Sequence, residues 1–209
     1  MQTSHVISDL FLVVTCLWVL YQCWKQHGQP LVLVWGLFFG SVGIAAFFGA
    51  LRFADVHPSM VHVSQLFQKI VSTFGSCGLV AGVCWLFKPY AALPLITLTI
   101  LGGTACFLTG LLLGSPSFFS ILQMIAMLAV MVIAVVYWFR RLQREHRTIA
   151  WRLMLAIVFS ALATISLRAL PYPNSIDAFH YLLGVGMLCF GWAAMGSGTH
   201  TSIKPQIVG

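Results

Sequence analysis

Three of the four acidic residues in this chain, Asp9, Asp55 and Asp177, fall beside the same set of apolar-run ends, together with four of the seven histidines, His5, His57, His62 and His180. Ionisable side chains are costly to place near hydrocarbon, so their convergence at one mouth of a bundle marks a candidate site. Helical spacing groups them further. His5 and Asp9 are four residues apart and share a face if the first helix starts early, and Asp177 and His180 are three apart at the start of the last apolar run. Imidazoles with a carboxylate suit zinc, with one position left open for water. Such an ion would acidify that water and polarise a carbonyl, and a neighbouring Asp would act as general base. On this reading His57, His62 and His180 are the metal ligands, Asp9 and Asp177 the catalytic carboxylates, and a membrane lipid amide or ester the substrate. No short motif such as HExxH organises these ligands. The bland alternatives are interfacial histidines and aspartates held at helix N-termini by the helix dipole.

The third apolar run adds a polar stripe, His62, Gln65, Lys69, Ser72, Thr73 and Ser76, at spacings of three and four. Facing lipid, that stripe would cost several kcal/mol, so it is expected to line the bundle interior or a wet cavity, with Lys69 snorkelling outward or paired to an acid. Beyond Ser76 the run becomes apolar, which argues for a cavity open at one end over a path through the membrane. Arg52 and Asp55 are spaced to pair.

The elements that must position these residues follow from composition. Of 209 residues, 60% are apolar and 7% charged, against about 25% charged in a soluble domain. A water-soluble globule is excluded. Runs of about 20 apolar residues are long enough to span a bilayer, and seven occur, near 8–24, 31–51, 63–87, 92–113, 118–139, 149–167 and 178–195. The expected fold is an all-α membrane protein, a seven-transmembrane helix bundle forming a single domain over 1–209. Six crossings is the alternative, since only Lys88, Pro89 and Tyr90 separate the third run from the fourth. With the N-terminus outside and the C-terminus cytoplasmic, Lys25, Lys88, Arg140, Arg141, Arg144, Arg147, Arg152 and Lys204 fall inside and Arg52, Lys69 and Arg168 outside, the orientation that the positive-inside rule favours. The net charge of +7 reads as membrane orientation and not as a nucleic-acid face. The cluster Arg140 to Arg147 reads as an anchor touching anionic lipid. All six cysteines lie within apolar runs and read as packing residues rather than a disulfide framework. The first run lacks a preceding basic residue and a small-residue cleavage site, so it reads as a span and not a cleaved signal.

The Ser8-Asp9 pair opening the first helix, a histidine after the second and Asp177-x-x-His180 opening the last resemble the seven-transmembrane superfamily of alkaline ceramidases and adiponectin-type receptors, in a bacterial branch. The resemblance implies zinc-dependent amide hydrolysis in a bacterial inner membrane, with His180 and either His57 or His62 as zinc ligands and Asp9 as their acidic partner. The family's last helix carries HxxxH where this chain has Gly184, and its second helix carries Ser-x-x-x-His where this chain has Ser41 and no histidine. Three functions stand side by side: a zinc-dependent lipid hydrolase; a non-enzymatic sensor, lipid- or metal-binding protein, or assembly partner of a membrane protein or of a second copy; and a small transporter. The last helix has no lysine for a retinal Schiff base.

Overall fold

The computed structural model describes residues 3–27, 29–87, 92–139, 144–172 and 174–196. Lys88, Arg140, Arg141, His200 and Lys204 lie outside the described residues. The described chain is helical without strands, and seven helices are long and apolar enough to cross a membrane: α1 (Thr3–Gln26), α2 (Val32–Phe53), α3 (Met60–Phe87), α4 (Leu93–Leu113), α5 (Pro116–Phe139), α6 (His146–Ala169) and α7 (Asn174–Met195). The chain is a multi-pass membrane protein. Several helices run beyond their apolar runs. α1 starts at Thr3 and α7 at Asn174, because polar first turns continue a helix when their side chains find partners in the fold.

Short connections make successive helices antiparallel. Six of the helices close a ring in the order α1, α2, α3, α5, α6, α7, with the most extensive contacts between α6 and α7, then α1 with α7 and α1 with α2. α4 stands outside the ring against α3, with much of its surface turned outward. The core is aromatic at its centre. Trp35 stacks on Phe39 at 5.6 Å, and Phe38 meets Phe190 of α7 edge-on at 5.4 Å.

Glycines set how closely the helices approach. A Cβ at Gly78 in α3 would lie 2.9 Å from the Val34 carbonyl oxygen, and one at Gly191 in α7 would lie 2.7 Å from the Val19 side chain of α1. Close backbone approach through small residues is the usual means of helix association in lipid.

α2 and α3 each contain one wide π turn, Gly36–Gly40 and Val71–Gly75, and the two turns touch. They also change the reading of the polar stripe. His62 and Gln65 are exposed, and Lys69 sets its ammonium 5.7 Å over the Phe119 ring. Deeper in, Ser72 Oγ donates to the Gln68 carbonyl at 3.0 Å and Thr73 Oγ1 to the Lys69 carbonyl at 2.9 Å. The inner part of the stripe, Ser72, Thr73 and Ser76, thus faces the bundle interior as expected, while His62 and Gln65 in its outer part are exposed. The Ser72 and Thr73 hydroxyls are satisfied by their own helix without water. Arg52 does not pair with Asp55 among the described residues. It lies over Phe53 at 5.4 Å, while Asp55 takes a left-handed φ of 59° that ends α2.

Backbone crowding distinguishes two glycine positions. Gly78→Ala is expected to destabilise the protein by about 1–3 kcal/mol, because the Val34 carbonyl cannot turn away. Gly184→Ala meets only the edge of the outward-facing Phe11 ring, at 2.5 Å, and is expected to cost less than about 0.5 kcal/mol. Thermal unfolding of both variants in detergent checks the order.

Candidate functional site

The first two turns of α1 pack against the first two turns of α7, and the polar side chains of the two helices meet there. Asp177 is the hub. Its Oδ2 accepts from Ser4 Oγ, and its Oδ1 accepts from His5 Nδ1 at 2.7 Å and from Ser8 Oγ at 3.0 Å. Ser8 Oγ also lies 3.2 Å from His180 Nδ1 and 3.0 Å from the His5 carbonyl oxygen. His180 Nε2 stands 3.3 Å from Asp9 Oδ1. A continuous chain therefore runs from exposed Ser4 through Asp177, Ser8 and His180 to Asp9.

Helical periodicity builds this chain. Ser4, His5, Ser8 and Asp9 recur at spacings of one, three and four along one edge of α1, and Asp177 and His180 face them across a single turn of α7. The inner members are sealed, with His5 at 1%, Ser8 at 0% and Asp9 at 2% exposure, while Asp177 and His180 are half-buried. The His5 ring packs between Phe53 and Tyr172, at 4.8 and 5.9 Å. A Cβ on Gly49 of α2 would lie 2.8 Å from Asp9 Oδ2, so glycine there leaves room for the carboxylate.

Two atoms of the cluster, His5 Nε2 and Asp9 Oδ2, are fully buried and have no hydrogen-bond partner among the described residues. Buried polar atoms are seldom left so, because each costs about 1–3 kcal/mol. The cluster is thus rich in proton positions and short of partners for them.

Asp9, Asp177 and His180 come together. His57 and His62 do not join them. His57 sits exposed in the turn before α3, where its Nδ1 accepts from the Ser59 backbone N–H at 3.2 Å and lies 2.8 Å from Ser59 Oγ, and His62 is exposed on α3. Among the described residues, no three His, Cys, Asp or Glu side chains are placed to hold one metal ion. The site's second imidazole is instead His5, paired in sequence with Asp9 by its i,i+4 spacing. Ser8 stands out in sequence only through the Ser8-Asp9 pair of the resemblance, and Ser4 not at all, since hydroxyls on helices mostly bond their own backbone.

The zinc set that the resemblance implies does not fit these residues. Its second position on the last helix is Gly184, which has no side chain to ligate a metal, and α2 offers no histidine.

The model of a family of unknown function (DUF6962) matches residues 4–199. No curated protein and no solved structure matches the chain.

If Asp177 is the hub, Asp177→Ala leaves the His5 ring and Ser8 hydroxyl without their acceptor and is expected to destabilise by about 2–3 kcal/mol. Ser4→Ala, at the exposed end, is expected to cost under about 1 kcal/mol. Chemical unfolding in mixed micelles measures both. A coupling energy near zero in a His5→Phe and Asp177→Ala double-mutant cycle would contradict this ranking.

Proposed function

Because the chain belongs to this family of unknown function over residues 4–199, we propose a role from the chemistry of its own site: a non-enzymatic membrane sensor whose buried His–Asp network takes up and releases protons. The observation that carries this reading is the Ser8 hydroxyl, which stands within reach of both Asp177 Oδ1 and His180 Nδ1. A hydroxyl has one proton to give. When Ser8 donates to Asp177, its oxygen accepts from His180 Nδ1–H, and one further proton is then shared between His180 Nε2 and Asp9 Oδ1. When Ser8 turns to donate to His180 Nδ1, Nε2–H donates to the Asp9 carboxylate and Asp177 keeps only Ser4 and His5. Uptake of one proton by the Asp9–His180 pair from water at the exposed Ser4–Asp177 end is thus accompanied by rotation of one hydroxyl, and its release reverses that rotation. The proton content of the pair and the number of bonds on the α1–α7 clasp therefore change together.

A bistable element biased by a local proton is the general form of a pH-responsive switch. The network opens outward at Ser4 and Asp177. On the positive-inside rule that end faces the outside of a bacterial inner membrane, and the C-terminus lies in the cytoplasm. The sealed state of Ser8 and Asp9 favours this reading over hydrolysis, since a lipid carbonyl has no path to either group. No through-path favours a transporter, because the hydroxyls of α3 are spent within their own helix.

Infrared difference spectroscopy across about pH 4 to 9, on protein in lipid nanodiscs, tests the proposal. A carboxylic C=O band that titrates in the wild type, is lost in Asp9→Asn and shifts in Ser8→Ala is the expected result. Absence of a titrating carboxyl sinks the sensor. So does elemental analysis giving about one zinc per chain that His180→Ala removes, which would restore the lipid hydrolase.

A further inference from the structure

A second feature lies at the opposite end of the bundle, where α5 ends and α6 begins. A shallow groove of about 510 Å³ is lined there by Trp138 of α5 and by Arg147, Thr148 and Trp151 of α6. The Arg147 guanidinium lies 4.4 Å over the Trp138 ring, and Trp138 and Trp151 stand 5.9 Å apart at 41°. Arg147 thus lines the groove beside the indoles, and a guanidinium can bind phosphate bidentately through its N–H groups.

Both ion pairs of the described chain, His5–Asp177 and His180–Asp9, lie at the other mouth. Arg152, one turn further along α6, is committed elsewhere, donating to the Trp192 carbonyl at 2.8 Å. Arg147 is exposed and Trp151 is 50% exposed, so the groove opens on the outer surface of the bundle. Along α6 the same stripe continues as exposed Val158, Leu162 and Ile165, an apolar track running into the membrane from the groove.

We propose that this groove seats the headgroup of an anionic phospholipid, with Arg147 on the phosphodiester, the two indoles walling the glycerol region and an acyl chain along the α6 stripe. Charge complementarity selects this occupant. An exposed cation lying over one indole of an interfacial tryptophan pair meets a phosphodiester at the depth where indoles settle. The geometry is independent of the proton network, and neither proposal depends on the other.

Native mass spectrometry of the full chain in detergent tests it, with phosphatidylglycerol and phosphatidylcholine of equal chain length as probes. The wild type is expected to retain phosphatidylglycerol about five-fold better, the worth of one basic residue near an anionic headgroup. Arg147→Gln is expected to abolish that preference, and Trp151→Ala to lower phosphatidylglycerol retention, with melting temperatures showing that each variant is folded. Equal retention of the two lipids by the wild type overturns the proposal, as does wild-type phosphatidylglycerol retention in either folded variant. Displacement of phosphatidylglycerol by inorganic phosphate also overturns it, by making the groove a site for free anions.

Discussion

One carboxylate holds the mouth of this bundle together. Asp177 accepts from Ser4, His5 and Ser8, three side chains of α1, and α1 is the helix through which the ring of six closes between α7 and α2. A half-buried carboxylate shared by three donors is held in place by them, and each bond to it contributes on the order of 1–3 kcal/mol. The rest of the mouth follows from that constraint. α1 must be helical from Thr3 so that Ser4 and His5 can reach, α7 must start before Asp177, and the two backbones must lie close enough for a single side chain to bridge them. Gly191, further along α7, lets Val19 come near and holds the same spacing deeper in the membrane.

Polar chemistry is divided between the two ends of the molecule. At one end carboxylates and imidazoles satisfy one another in a closed chain, with surplus proton positions at His5 Nε2 and Asp9 Oδ2. At the other end the exposed Arg147 lies over one indole of a tryptophan pair. Between them the core is apolar and aromatic, and the hydroxyls of Ser41, Ser72 and Thr73 bond to carbonyls of their own helices. The interior therefore separates two surfaces of different chemistry and does not connect them.

The π turns give that interior its shape. After Gly36–Gly40 the Phe38 carbonyl accepts from both the backbone N–H and the Oγ of Ser41, the latter at 2.9 Å, and Ser41 packs where a Cβ on Gly75 would come within 2.8 Å. Two irregular turns thus fit against each other through a serine and a glycine. π turns recur where a helix must carry a local irregularity, and here they let the aromatic centre of α2 face both α3 and α7.

Hydropathy and punctuation by themselves determined that this chain is a seven-helix membrane bundle, because the energy of placing apolar runs in lipid is large and local to each run. The i,i+4 pair His5 and Asp9 and the i,i+3 pair Asp177 and His180 were legible for the same reason, since a helix fixes which side chains share a face. Only tertiary structure decided which pairs meet. His57 and His62 have the right residue type, but their exposed places in the turn before α3 and on its first turn keep them apart from His180, and no spacing in sequence encodes that. Ser4 and Ser8 became bridging groups only when α7 came to lie beside α1. Trp138 of α5 and Trp151 of α6 come together with Arg147 only through the packing of α6 on α5. Local periodicity sets what each helix offers, and the contact between helices, paid for by burial and small residues, sets what those offers become.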